Sequence, residues 1–243
     1  DRGLVGSEMC IRDSIVIVNP NNPTGNVAKP STIMEVLSIA KEWPNCTIIA
    51  DEIYDALDFS GDQRSVASLS DEVPVVTLNG VSKVHFAPGW RIGYMAFFDP
   101  KRTLQAPRDG AERILRSRLC ASTPAQYGYL AGLNHDRLWL KERLRTIERR
   151  VDLCMNRIEG IEGLSCNKPG GAFYLFPKID NPSKYGSDKK FVLDLLHEEH
   201  VLVVHGSGFS PRYGSGHFRL VALAPEDLLN EAFDRIDRFV RSR

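Results

Sequence analysis

The sequence lacks paired cysteines, a long apolar run and an excess of charge of either sign, and each absence removes a class of protein. Its five cysteines (Cys10, Cys46, Cys120, Cys154 and Cys166) are odd in number, scattered and without a CxxC pair. Neither a disulfide framework nor a zinc site is therefore indicated, and a reducing cytoplasm is the expected setting. No uninterrupted apolar stretch approaches the roughly 18 residues of a membrane span, and no charged-then-apolar leader opens the chain. The 31 basic and 31 acidic residues cancel, which removes the overall electrostatic case for nucleic acid or an anionic membrane and leaves small molecules as the default ligand. Internal repeats and low-complexity linkers are also missing. What is present, 243 residues with 42% hydrophobic and 26% charged content, is enough to bury the core of a globular protein of one or two domains.

The opening DRGLVGSEMCIRDS has neither helical nor strand periodicity, and it resembles the conceptual translation of sequencing-adapter DNA. Residues 1–14 are accordingly expected to lie outside the fold, with a frayed natural terminus as the alternative, and order is expected from Ile15. SIVIVNP, CTIIADE and VPVVTLNG then read as short β-branched strands without polar alternation, as in a parallel sheet buried on both faces. Between the first two, PSTIMEVLSIAKEW reads as a helix with Thr32 and Glu35 at capping-box spacing and Ile33, Leu37 and Ala40 on one face. RIGYMAFFD is a further strand, and residues 100–131 read as largely helical with an interruption near Pro124. Residues 136–160 form a long helix in which Leu140, Leu144, Ile147, Val151, Met155 and Ile158 recur every three or four positions. Its arginines are interspersed with Glu142, Glu148 and Asp152, which favours a solvated face over a nucleic-acid site. Strands at GGAFYLFP, VLVVH and HFRLVAL and helices at 189–200 and 225–240 complete a smaller α/β or α+β domain.

Ligands of open parallel sheets gather outside the carboxyl ends of the strands, where loops converge. The three strands deliver to that edge Asn19 to Gly25 (NPNNPTG), Asp51 to Tyr54 (DEIY) and Asn79 to Lys83 (NGVSK): an amide, a carboxylate with a phenol, and an amine. Taken singly, NPNNPTG reads as a turn and a lysine after a strand as surface. Their order and shared address, with Arg91 in PGWRIGY eight positions beyond Lys83, carry more than any one of them.

In the motifs NPNNPTG, ADEIY, SKVHFAPGWRIGY and HFRLVALAP, which run in order from Ile15 to the C-terminus, the chain resembles the fold type I pyridoxal-phosphate enzymes, and among them the class I/II aminotransferases. VVHGSGF followed by HFRLVALAP looks most like the alanine aminotransferases. The resemblance implies an α/β fold: residues 15–135 as the latter part of a large, mostly parallel-sheet cofactor domain, and residues 136–243 as a small C-terminal domain that includes the interdomain helix. It implies pyridoxal 5′-phosphate as cofactor, no metal, and L-amino acids and 2-oxo acids as substrates, with alanine and 2-oxoglutarate exchanging an amino group by a ping-pong route. It implies a homodimer in the full-length protein and a cytoplasmic location. Residue by residue, Lys83 matches the amine that carries the cofactor covalently and then moves the α-proton. Asp51 matches the carboxylate facing the pyridine nitrogen, and Tyr54 and Asn22 match donors to the ring's phenolic oxygen, with Asn22 also reaching the substrate carboxylate. Arg91 matches the guanidinium on the cofactor phosphate. Arg219, which read alone suggests a buried ion pair, matches the group that binds the substrate α-carboxylate.

The pattern departs from the family in places. A phosphate-binding serine commonly stands three positions before the lysine, where this chain has Gly80, and Ser82 is no assured substitute. The glycine-rich phosphate loop, the aromatic residue stacked on the ring and a tyrosine that crosses the dimer are expected upstream of NPNNPTG, so the sequence reads as an N-terminally truncated fragment with poor cofactor binding of its own. The rivals are another aminotransferase specificity or a C–S β-lyase on the same fold, and an aminotransferase-like effector domain of a transcription regulator. His197 and His200 in HEEH have three-residue spacing where a zinc-protease helix needs four, so they are read as surface residues.

Overall fold

The computed structural model describes residues 14–136 and 138–243. The chain forms two compact units, one comprising the described residues through Pro20 with Ala28–Leu138, the other Asn21–Val27 with Trp139–Arg243. Residues 1–13 of the opening segment lie outside the described residues, while Ser14 opens the first strand and pairs with Thr47.

The first unit contains, in chain order, β1 (Ser14–Val18), α1 (Pro30–Lys41), β2 (Thr47–Asp51), α2 (Val66–Leu69), β3 (Val75–Gly80), β4 (Gly93–Phe98), α3 (Gln105–Ser117) and α4 (Thr123–Asn134). The strands lie in the order β1-β2-β3-β4, with the first three parallel and β4 antiparallel to β3. Alternate residues of a strand face opposite sides. Ile15, Ile17, Ile48, Ala50 and Val75 therefore form one surface, and Ile33, Leu37 and Ala40 of α1 close over it together with Val66 and Val73. Burial of each large aliphatic side chain there contributes about 1.5–3 kcal/mol. Asp51 and Gly80 consequently end their strands at the same edge.

Two expectations are corrected here. The β1 run was expected to be buried on both faces, but among the described residues β1 pairs only with β2, and Val16, on the face away from α1, is 64% exposed. An unalternating apolar run reads the same in either setting, which is why the sequence did not separate them. The Thr32–Glu35 capping box is not made either. α1 starts with Pro30 in its first turn after Lys29, without a side-chain cap, because the proline's fixed φ suits the first turn and its missing N–H would be unpaired there anyway. Thr32 is thereby carried inside the helix. Pro124 likewise opens α4, and the interruption precedes it at residues 118–122.

The second unit contains α5 (Leu138–Glu159, from Trp139 onward), β5 (Leu164–Ser165), β6 (Tyr174–Leu175), β7 (Lys178–Ile179), α6 (Asp188–Glu199), β8 (Val204–His205), β9 (Phe218–Val221) and α7 (Glu226–Arg241). β5 pairs with β7, β9 lies between β6 and β8, and each pairing is antiparallel. Of the two readings for this region, α+β applies. Phe191 of α6 stacks on Phe218 of β9 at 5.3 Å and meets Phe239 of α7 edge-on at 5.3 Å. α5 buries Leu140, Ile147, Val151, Cys154, Met155 and Ile158, while Leu144 is only half-buried. Its arginines do more than face water: Arg149 donates to Glu226 Oε1 at 2.7 Å, Arg150 to the Leu223 carbonyl at 2.6 Å and Arg157 to Asn230 Oδ1 at 2.9 Å. They fasten α5 to the start and middle of α7.

Candidate functional site

In the first unit, β2 ends on Asp51, whose Oδ1 accepts the Ile53 N–H at 3.1 Å. That short bond bends the chain out of the strand and fixes the carboxylate's direction. The DEIY stretch continues as consecutive turns, with Asp55 N–H donating to the Glu52 carbonyl and Leu57 N–H to that of Tyr54. Tyr54 is 3% exposed. Glu52, 4% exposed, accepts the Val66 N–H at 2.8 Å and the Ser65 hydroxyl at 3.1 Å. Burial pushes its carboxyl above the usual carboxylate range, and those two bonds offset only part of the rise. Glu52 thus holds the turn behind Asp51 against the start of α2.

Lys83 lies half-buried three residues past β3, and its Nζ stands 5.9 Å from the centroid of the Tyr54 ring. Lys83 and Arg91 belong to one closed loop, since Val81 N–H donates to the Ile92 carbonyl and Ala87 N–H to the Val81 carbonyl. Their eight-residue separation falls inside that loop, which closes between Val81 and Ile92. Arg91 follows the 3-10 turn Pro88–Trp90 with φ of 53° and donates through NH1 to the Pro88 carbonyl at 3.0 Å. Phe86 also has a positive φ, 52°. Two non-glycine residues in the left-handed region each cost on the order of 1–2 kcal/mol, a kind of strain that concentrates at functional loops. Gly80 pairs with Gly93, and a Cβ on it would come within 2.7 Å of the Ile92 carbonyl oxygen and 3.0 Å of the Gly93 Cα. A serine cannot occupy position 80 without separating β3 from β4.

Asn19 was singled out only as part of its motif. It is 2% exposed; its N–H donates to the Asp51 carbonyl and its Oδ1 accepts the Ala28 N–H at 2.8 Å. The Asn19 side chain therefore ties the ends of the 20–27 excursion, while its backbone N–H joins the end of β1 to that of β2.

In the second unit, Gly25 has φ of +66° and its carbonyl accepts the N–H groups of both Gly170 and Gly171 at 3.0 Å. This seats the motif against the turn preceding β6. Asn22 Oδ1 accepts Arg219 NH1 at 2.7 Å. Arg219, in the middle of β9, also has the ring centroids of Tyr174 and Phe209 each 4.8 Å from its Cζ. Its Nε is buried with no hydrogen-bond partner. The ion pair that the isolated sequence suggested is not formed among the described residues. Two aromatic faces and one amide hold the guanidinium instead, and one buried N–H is left to spend. Asp51, Tyr54, Lys83 and Arg91 thus fall in the first unit, Asn22 and Arg219 in the second. Tyr174 and Phe209 entered the sequence reading only as parts of GGAFYLFP and VVHGSGF, with no role given to either.

Residues 8–236 match the family model for aminotransferase class I and II. The chain belongs to that family. It is 39% identical over 232 residues to the glutamate-pyruvate aminotransferase AlaA of Haemophilus influenzae, an alignment covering 93% of this chain and 57% of that relative. It is 37% identical over 242 residues to an aspartate aminotransferase of Bacillus subtilis, covering 93% of this chain and 57% of that one. Among solved structures, an alanine aminotransferase from Pyrococcus furiosus superposes with a TM-score of 0.90 at 47% identity, covering 95% of this chain and 58% of that chain. The fold is therefore that of the fold type I aminotransferases, and the chain spans a little over half the length of the relatives it matches.

The family implies pyridoxal 5′-phosphate, and the residues present suit it. A carboxylate, a buried phenol and a half-buried amine share the strand-end edge of the first unit, with the amine directed at the phenol ring. In the second unit the unspent Nε of Arg219 is a donor without an acceptor, as a site for an amino-acid carboxylate requires.

Proposed function

We propose that this chain carries the lysine and the carboxylate-binding arginine of a pyridoxal-phosphate-dependent aminotransferase, which moves an amino group between an L-amino acid, alanine foremost, and 2-oxoglutarate by a ping-pong route. The observation that carries the reading is Lys83 Nζ above the Tyr54 ring, one strand from Asp51 at the same sheet edge. When bound, the cofactor supplies an aldehyde for amine exchange and a ring that accepts the electron pair left at the substrate Cα.

Lys83 would hold that aldehyde, and its free amine would take up and give back the proton of the substrate Cα, so a single side chain would serve both as tether and as base. Asp51 would hold the ring nitrogen's proton by charge. Tyr54 and Asn22 would donate to the ring's phenolic oxygen; Asn22 has Nδ2 for this, because its Oδ1 is engaged by Arg219. Arg91 would bind the phosphate through the guanidinium N–H groups not given to Pro88. Arg219 grips the substrate α-carboxylate, and a fork fixed by two rings loses little freedom in doing so. The whole protein works as a cytoplasmic homodimer on small-molecule amino and oxo acids.

Borohydride reduction of the complete native polypeptide carrying this sequence, followed by peptide mapping, should place a pyridoxyl label on Lys83. A label elsewhere, or none, refutes the assignment. Substrate choice needs its own test, because a relative named glutamate-pyruvate aminotransferase and one named aspartate aminotransferase are almost equally similar, at 39% and 37% identity. Half-reaction spectra with alanine, aspartate, aromatic amino acids and cystathionine separate alanine transfer from the other specificities and from C–S cleavage.

A further inference from the structure

Asp188 opens α6 and is 3% exposed, yet the roles assigned above leave it without one. Its Oδ2 accepts the backbone N–H of Ser207 at 2.7 Å and lies 4.0 Å from His205 Nδ1, which is itself 3.0 Å from the Ser207 hydroxyl. Desolvation pushes the carboxyl upward, but the bonds from Ser207 and from the first amides of α6 together outweigh it and hold the group below the usual aspartate range. A buried charge retained on these terms is fastening something.

What it fastens is the 3-10 turn Gly206–Gly208. The turn is closed by Phe209 N–H donating to the Gly206 carbonyl at 2.9 Å and joined to the neighbouring strand by Gly206 N–H donating to the His217 carbonyl at 2.8 Å. Two residues beyond Ser207, the ring of Phe209 stands 4.8 Å from Arg219 Cζ. Phe176 braces that ring edge-on at 6.1 Å and is in turn stacked on His217 at 5.0 Å. A continuous set of contacts therefore runs from Asp188 through Ser207 and Phe209 to Arg219. The last two-atom fork must be placed within about half an ångström to bind a carboxylate through both its arms.

We infer that Asp188 is a positioning residue for Arg219, setting the affinity for substrate carboxylates by holding the Ser207 turn so that Phe209 covers one side of the guanidinium. The inference rests on Arg219 being the α-carboxylate site. Loss of one cation–π face corresponds to a roughly tenfold weaker grip.

The experiment is steady-state kinetics and cofactor titration on the complete native polypeptide. Asp188→Ala should raise KM for the amino donor and for the oxo acid alike by roughly tenfold, with kcat held within about threefold, because a ground-state carboxylate grip is what is lost. The dissociation constant for pyridoxal phosphate should not change. Asp188→Asn should restore most of the affinity, since its amide oxygen still accepts the Ser207 N–H. Phe209→Leu should reproduce the effect, and the double variant should add nothing, as expected of two steps in one relay. KM values within about twofold of the parent in Asp188→Ala, or fully additive single effects, overturn the relay. If Asp188→Ala does not fold, an unchanged KM in Phe209→Leu overturns it alone. Arg219→Lys measured alongside separates the two ideas. An unchanged KM there removes the carboxylate reading itself, whereas a raised KM with silent Asp188 and Phe209 variants removes only the relay.

Discussion

Replacing Gly25 with alanine tests whether the NPNNPTG motif is more than a turn. At φ of +66°, any L side chain carries the left-handed penalty of about 1–2 kcal/mol. The added Cβ would also sit 2.5 Å from Pro169 Cβ, 2.6 Å from the Tyr174 carbonyl oxygen and 3.0 Å from that of Gly171. Two of those three atoms are backbone and cannot swing aside, so overpacking adds roughly 1–3 kcal/mol. The sum, about 2–5 kcal/mol, is a large part of the stability of an ordinary domain. Gly216 supplies the control in the same unit. Its φ is +76°, but its Cβ would meet only Pro182 Cγ at 3.4 Å and Cβ at 3.7 Å, which is ordinary contact, so Gly216→Ala should show the backbone penalty alone. Urea unfolding followed by circular dichroism gives both values. Equal losses in the two variants would show that the motif's glycine is required only for its backbone angle. A larger loss at Gly25 confirms that it seats the motif against Gly170 and Gly171, and so sets where Asn22 meets Arg219.

Glu52→Gln should have a pH-dependent effect. Because burial raises the folded-state carboxyl above its unfolded value, the folded chain binds more protons between those two values, and stability falls as pH rises through that window. Glutamine keeps an acceptor for the Val66 N–H without the charge. Its stability relative to the parent should therefore be higher at about pH 8 than at about pH 4, and a pH-independent difference in urea midpoint would remove the argument. The thiol of Cys154, pushed up to about 12 chiefly by burial and further by nearby Cys166, should resist alkylation of the native chain at pH 8, while exposed Cys120 reacts. Site-resolved mass spectrometry that finds Cys154 modified as fast as Cys120 would contradict its placement in the α5 core.

Much of the first unit was legible because its elements repeat one signal over enough residues. Ile33, Leu37 and Ala40 mark a helical face, and three β-branched runs end in Asn19, Asp51 and Asn79, so the strand-end edge is legible in the residues themselves. The second unit was less so for a physical reason: β5, β6, β7 and β8 have two residues each, too few for alternation to show. The chain's return at Asn21–Val27 to the second unit was invisible, since those residues directly follow β1 in sequence and their partners Gly170, Gly171 and Arg219 lie far along the chain. Arg219 was recognisable as a charge in an apolar strand. Its holders were not, because Tyr174 sits in what reads as a core strand and Phe209 in what reads as a glycine-rich loop. Asp188, following Ser187, reads only as the start of a helix.

Gly80 shows how such a departure from the family's pattern can be a consequence of packing. A serine there would be expected to add a phosphate donor near Lys83. The β3–β4 pairing opposes it, because a Cβ there would lie 2.7 Å from the Ile92 carbonyl oxygen, the same oxygen that accepts the Val81 N–H and closes the loop bearing Lys83 and Arg91. Gly80→Ser should therefore lose about 1–3 kcal/mol by overpacking, and by displacing Ile92 it should weaken anion binding at Arg91 instead of strengthening it. Urea unfolding and phosphate titration of the variant decide the matter. Undiminished stability with tighter phosphate binding would mean that β3 and β4 separate easily enough to admit a hydroxyl. Lower stability with weaker binding would mean that the chain holds the Lys83 loop closed by backbone contact, and has given up one phosphate donor to do so.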